Sequence, residues 1–354
     1  MRIAVDGRHL AAGRGVARYT RSLLTAMTAA FPEDDWRVFV GGRGPVAAPT
    51  PLIRHVLGGR ALFGAGALAG RPRLDRLAGG ADVVWAPAPA PLAVSRGLPL
   101  VLTVHDLSWV ARPRDFTAYE RAWHRVARLP QQARRARRIV ADSHATRDEI
   151  VGRWGIEAEK IAVVHLGPGM AGVPHVDPSS RGERTGPPYL LAVGALEPRK
   201  EPELLVRAHA RARAAGLRAE LWFAGEGRLA VSGAGVRALG DRDDAALARL
   251  YAGALALVHP ARLEGFGFPP IEALAHGTPP IVADLPVYAE TVGDGALRFP
   301  PGDEAALADA MLAVERDAAL RDRLVTGGRA AIARLSWERA AHQTHAVLVE
   351  AAGR

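Results

Sequence analysis

Two glutamates bracket a glycine turn in Glu264-Gly265-Phe266-Gly267-Phe268-Pro269-Pro270-Ile271-Glu272. Glycines at 265 and 267 allow a tight turn and close approach of backbone to a ligand. Pro269 and Pro270 suit a first helical turn, whose amides can hold an anion or sugar oxygens. Glu264 before the turn and Glu272 about one turn into the helix can face one ligand from its two ends. The competing reading is a loop whose acid caps a helix. A second group, Val193-Gly194-Ala195-Leu196-Glu197-Pro198-Arg199-Lys200, ends on two adjacent cations. Arginine grips phosphate as a fork and lysine acts as a point charge. Only Lys160 and Lys200 are lysine among 46 basic residues, so Lys200 is a local exception in an arginine-rich chain. The alternative is a solvated charge pair beside a helix start. His105-Asp106 closes the apolar run Leu100–Val104. There a histidine can donate to a hydroxyl or a developing charge, although one packed at a strand end is commoner.

Other signals are weaker. Gly13-Arg14-Gly15-Val16-Ala17-Arg18-Tyr19 places arginine where a dinucleotide fingerprint has its third glycine, and no Gly-Lys-Ser/Thr follows. Asp241-Arg242-Asp243 has the spacing of a metal-binding pair but precedes a helical pattern, so Asp243 or Asp244 reads better as an N-cap and no metal ligand is assigned. There is no Gly-x-Ser-x-Gly, and the absence of cysteine excludes disulfide scaffolds, thiolate metal sites and a cysteine nucleophile.

These groups must be positioned by an α/β framework. In the first half, short apolar runs at Ile3–Val5, Val38–Val40, 53–57, Asp82–Trp85, Leu100–Val104, Arg138–Ala141 and 161–165 alternate with helical patterns at Val16–Ala30, 119–137 and 145–154. The second half repeats this, with runs at Tyr189–Val193, Glu220–Ala224, Val236–Leu239, 254–259, Pro280–Ala283 and Ala296–Phe299. Such alternation predicts two doubly wound, Rossmann-like domains. The proline- and glycine-rich stretch 167–188 marks the boundary. Residues 1–170, 171–334 and 335–354 are expected as an N-terminal domain, a C-terminal domain and a helix crossing back to the first. Gly327-Gly328 reads as a helix break. At 354 residues, two domains are the first expectation, with a cleft between the carboxyl ends of the sheets.

Charge is uneven. Residues 1–170 hold 25 basic and 14 acidic side chains, and residues 171–354 hold 21 and 23. The cluster Arg125, Arg128, Arg134, Arg135, Arg137 and Arg138 lies in the basic half. It is either a solvated face or a surface for an anionic membrane. It lacks aromatic interleaving, so nucleic acid is not expected as a partner. No apolar run approaches a membrane span and the N-terminus reads as a strand. A cytoplasmic protein, peripheral to the inner membrane surface at most, is expected.

Taken together, the sequence resembles the retaining glycosyltransferases of family 4, which have the GT-B fold. The segments that carry the resemblance are EGFGFPPIEALAHGTPPIVADL (Glu264–Leu285), YLLAVGALEPRK (Tyr189–Lys200), TVHDLSWVARPRDF (Thr103–Phe116), ADSHATRDEI (Ala141–Ile150) and LSWERAAHQT (Leu335–Thr344), in that family's order and spacing. The resemblance implies that Glu264 bonds the hydroxyls of a donor sugar and Glu272 the ribose of its nucleotide. The amides of Gly265, Phe266 and Gly267 would touch sugar and phosphate, Arg199 and Lys200 would neutralise the diphosphate at the Gly194 strand end, Gly15 would approach the same phosphates, and His105 would lie by the reacting sugar. Ala17, Glu201, His276 and Pro280 depart from commoner residues of the family. The implied reaction is transfer from a nucleotide sugar, with GDP-mannose suggested by mannosyltransferase-like members, to a hydroxyl acceptor that is lipid-linked, a saccharide or a natural product. No cofactor and no metal are expected. The alternatives are a sugar-nucleotide epimerase or phosphorylase of the same fold, and a non-enzymatic protein that binds anionic surfaces.

Overall fold

Runs of apolar residues too short for helices become strands buried on both faces, because helices pack on either side of each sheet. A computed structural model describes residues 1–12, 15–56, 59–91, 93–169 and 187–354. Gly13, Arg14, Leu57, Gly58, Leu92, Met170 and the proline-rich stretch up to Gly186 lie outside the described residues. The chain divides into two units, Met1–Ala171 with Leu335–Arg354, and Gly172–Arg334.

Among the described residues of the first unit, seven parallel strands form one sheet. They are β1 (Arg2–Asp6), β2 (Asp35–Gly41), β3 (Leu52–His55), β4 (Val83–Ala86), β5 (Leu100–Val104), β6 (Arg138–Ala141) and β7 (Ile161–Val163), in the order β3-β2-β1-β4-β5-β6-β7. Every residue of β4 and β5 is buried. The order reverses between β1 and β4, the place where open α/β sheets bind ligands at their carboxyl edge. The helix Trp337–Ala352 packs on the helix Gly15–Ala30 of this unit. Ser336 caps its start, and Trp337, Ala340, Ala341, Thr344, Val347, Leu348 and Ala351 are buried.

The second unit's sheet has six parallel strands among the described residues. They are β8 (Tyr189–Val193), β9 (Glu220–Ala224), β10 (Val236–Gly240), β11 (Ala256–His259), β12 (Pro280–Ala283) and β13 (Leu297–Phe299), in the order β10-β9-β8-β11-β12-β13. Here the reversal falls between β8 and β11. Its core gathers Leu190, Leu205, Leu221, Phe223, Ile281, Phe299, Leu307 and Met311. Two doubly wound α/β units are therefore present. No helix among the described residues is long and apolar enough to cross a membrane.

Two helical expectations need correction. The pattern over 119–137 is not one helix: Ala118–Ala127 ends at Arg128, whose φ is 49°, and Leu129–Arg135 begins anew. Pro130 explains the break, because a proline is tolerated in a first turn and disrupts a helix interior. Gly327-Gly328 does not break its helix, which runs unbroken over Ala318–Ile332. The glycines serve packing instead. A Cβ on Gly328 would stand 2.7 Å from Leu274 and 3.2 Å from Gly295, and one on Gly327 would stand 3.0 Å from the Asp294 carbonyl oxygen.

Candidate active site

The chemistry-bearing residues of the second unit gather at the carboxyl edge of its sheet, on either side of the reversal. Gly194 follows β8 with φ 128°, in the region that favours glycine. The chain then turns through Pro198–Lys200 to Glu201, whose φ of 54° starts the helix Pro202–Ala214. Glu201 is held by an ion pair to Arg262. Across the reversal, β11 ends on His259 and the glycine turn follows. Gly267, with φ 86° and ψ 53°, leads into the helix Phe268–Ala275.

Three side chains converge there. The Lys200 ammonium pairs with Glu264 Oε2. His259 Nε2 stands 2.9 Å from the same oxygen and 3.4 Å from Lys200 Nζ. Burial would raise the Glu264 carboxyl, but the Lys200 charge, the His259 hydrogen bond and the Arg199 charge outweigh it and hold it well below the usual carboxylate range. Burial, assisted by Lys200, lowers the His259 ring below its ordinary value. A neutral ring facing a carboxylate carries its proton on the nitrogen that faces it, so Nε2–H donates to Glu264. The result is a mostly buried carboxylate between a fixed cation and a neutral donor. Arg199 lies close enough for its charge to act on both Glu264 and His259.

Glu272 is 3% exposed and accepts a 2.9 Å hydrogen bond from the Tyr251 hydroxyl. Tyr251 is also buried and stacks on His276, ring centroids 5.7 Å apart and 11° from parallel. Glu264 and Glu272 therefore occupy the two ends of the glycine turn, each with its own tyrosine or histidine neighbour. Gly265, Phe266 and Gly267 are buried between them. Asp243 caps the helix Asp244–Gly253, accepting from the Ala246 amide at 2.7 Å.

The first unit holds the remaining candidates. His105 follows β5. Its Nδ1 stands 2.6 Å from Asp142 Oδ2 and its Nε2 2.8 Å from the Pro87 carbonyl oxygen. Burial opposes its charge, but the Asp142 carboxylate and the Pro87 carbonyl overcome it and raise the ring above its ordinary value. Both nitrogens thus face acceptors within the protein. Gly15 opens the helix Gly15–Ala30 and is exposed, with Gly13 and Arg14 outside the described residues. The arginine cluster splits: Arg134 donates to the Trp154 carbonyl at 2.9 Å, Arg135 to that of Val94 at 2.9 Å and Arg138 to that of Glu159 at 2.5 Å. Arg125, Arg128 and Arg137 are exposed, as are Arg134 and Arg135 despite those bonds.

Two known families match the chain. The family described as glycosyl transferases group 1 matches residues 176–331, and the one described as glycosyltransferase family 4 matches residues 13–167. The chain belongs to the family 4 glycosyltransferases. It is 28% identical over 233 residues to the O-antigen chain mannosyltransferase of Salmonella typhimurium, covering 61% of this chain and 60% of that one. It is 29% identical over 282 residues to the D-inositol 3-phosphate glycosyltransferase of a Nocardioides strain, covering 70% of this chain and 61% of that one. The matches thus span about three fifths of these relatives. Sucrose-phosphate synthase from Thermosynechococcus elongatus superimposes with a TM-score of 0.79 at 22% identity, over 99% of this chain and 98% of that one. That likeness identifies the two-domain fold as GT-B.

Sequence reasoning missed three of these residues in the two units. His259 could have been found by the rule that picked out His105, since both end a central strand. Asp142 lies within ADSHATRDEI but carried no signal of its own. Tyr251 is visible only once folding has brought it to Glu272.

Proposed function

We propose that this family 4 chain is a retaining, metal-independent glycosyltransferase that moves mannose from GDP-mannose to a hydroxyl acceptor. The observation that carries the reading is the convergence of Lys200, His259 and Glu264 at the reversal of the second sheet. Departure of a nucleoside diphosphate develops negative charge on its β-phosphate. Lys200, Arg199 and the amides at the glycine turn offset that charge, which is the role a divalent metal would otherwise have. Glu264, kept ionised by its neighbours, accepts hydrogen bonds from the hydroxyls of the sugar. Glu272 accepts from the ribose, with Tyr251 fixing its orientation. The leaving phosphate takes the acceptor's proton on the face it departs from, so the anomeric configuration is kept without a protein nucleophile. The first unit supplies the acceptor side, and His105, held by Asp142, lies on that side. The mannose preference rests on the likeness to an O-antigen chain mannosyltransferase.

A lipid-linked acceptor is favoured over a free saccharide. The helix Ala118–Ala127 leaves Tyr119 63% and Val126 48% exposed, beside the exposed Arg121 and Arg125. An apolar stripe flanked by arginine suits an anionic lipid surface.

The test is a transfer assay with GDP-mannose in EDTA, with and without vesicles containing anionic lipid. Transfer with retained configuration is expected without added metal, faster when the vesicles carry the acceptor. Lys200→Ala should lower turnover by about two or more orders of magnitude in a folded protein. A strict manganese requirement, or near-normal turnover in that variant, overturns the assignment.

A further inference from the structure

Tyr288 carries a hydroxyl that none of the described residues hydrogen-bonds. It lies in the helix Pro286–Thr291, 0% exposed, with its ring beneath the glycine turn. A Cβ on Gly267 would stand 2.7 Å from Tyr288 Cε1 and 3.7 Å from Glu264 Cγ, so ring, turn and carboxylate stem share one small volume. The His259 ring meets the Tyr288 ring edge to face, centroids 6.5 Å apart. Phenylalanine would fill this space and support Gly267 equally well, so only the hydroxyl needs explaining. Its oxygen is buried and has no hydrogen-bond partner among the described residues. A buried hydroxyl in that state lowers stability, and such a cost is expected where a group serves function. Burial, and the negative charge of Glu264, keep the phenol protonated far above its ordinary range, so it can only be a donor toward a carboxylate.

We propose that Tyr288 is a positioning residue for Glu264, donating to its carboxylate when Lys200 turns from that carboxylate to the diphosphate of a bound nucleotide sugar. In this structure Glu264 is shared between Lys200 and His259. A diphosphate draws Lys200 away, and Glu264 would lose its main partner as it comes to face the sugar. His259 and Tyr288 then hold the carboxylate from behind, so that its remaining lone pairs accept from sugar hydroxyls. This inference rests on the glycosyltransferase reading and adds that the site's grip on the sugar, as opposed to the nucleotide, passes through Tyr288.

Tyr288→Phe, Glu264→Gln and the unaltered protein are compared by thermal melting, by turnover, and by calorimetric affinity for GDP, GDP-mannose, UDP and UDP-glucose. Tyr288→Phe is expected to melt at or above the unaltered protein and to bind the preferred nucleoside diphosphate within about twofold. Its kcat/KM for the matching nucleotide sugar should fall about tenfold or more, with sugar-dependent affinity lowered in the same sense as in Glu264→Gln. A melting point lowered by several degrees would mean the hydroxyl has a structural partner and would overturn the proposal. Unchanged kcat/KM, or an equal loss toward the bare diphosphate, would overturn it too. If the unaltered protein binds none of the four, the glycosyltransferase reading itself fails, which the Tyr288 comparison alone cannot produce.

Discussion

His105 and His259 each close a central strand, yet their surroundings push their titrations in opposite directions. Burial disfavours the imidazolium in both. At His259 the Lys200 ammonium adds to that effect and the ring stays neutral. At His105 the Asp142 carboxylate and the Pro87 carbonyl reverse it and the ring holds its second proton more tightly. A ring raised above its ordinary value of 6.5 stabilises the folded state fully below that pH, and the contribution is lost as pH rises through the raised value. Asp142→Asn should therefore bring the His105 titration, followed by NMR, down toward or below 6.5. The unaltered protein should exceed the variant in stability most below that pH, the gap narrowing on the alkaline side. Overlapping titration curves would show that Asp142 does not hold the charge.

At the scale of elements, glycine has two meanings that a local reading does not separate. Gly327-Gly328 looks like a break because glycine is a poor helix former. The contact that explains it comes from Leu274 and Gly295, distant in sequence, and only packing reveals it. Gly152, in the helix His144–Trp154, is the contrasting case: a Cβ there would meet nothing. Gly152→Ala should stabilise by about 0.5–1 kcal/mol through helix propensity. Gly328→Ala should destabilise by about 1–3 kcal/mol, because overpacking outweighs the same propensity gain. Urea denaturation of both checks this, and two shifts of the same sign would refute the packing explanation. The strands, by contrast, were legible in the sequence, since buried parallel strands read as short apolar runs whatever their neighbours. So was the turn at Gly265–Gly267, where local backbone demand selects the residue type. The break at Arg128 was legible too in Pro130, had its weight been set against the helical pattern around it.

At the scale of the molecule, both sheets reverse strand order at a central pair, and the second brings Lys200, His259 and Glu264 together there. Lys200 and Glu264 could be picked out from residue type and spacing. Tyr251 and Tyr288 could not, because a tyrosine in an apolar run reads as core until its hydroxyl is seen beside a carboxylate. The excess positive charge is confined to residues 1–170, so the cationic phosphate site proposed here owes nothing to net charge, since residues 171–354 hold 21 basic against 23 acidic side chains. It depends on two cations placed at one strand end. Calorimetric titration of the protein in EDTA with GDP, UDP, TDP and ADP tests that claim most directly. Binding of one diphosphate is expected, with GDP preferred, and it should weaken by about tenfold or more in Lys200→Ala. No binding to any of the four, or binding that appears only with manganese, would contradict it.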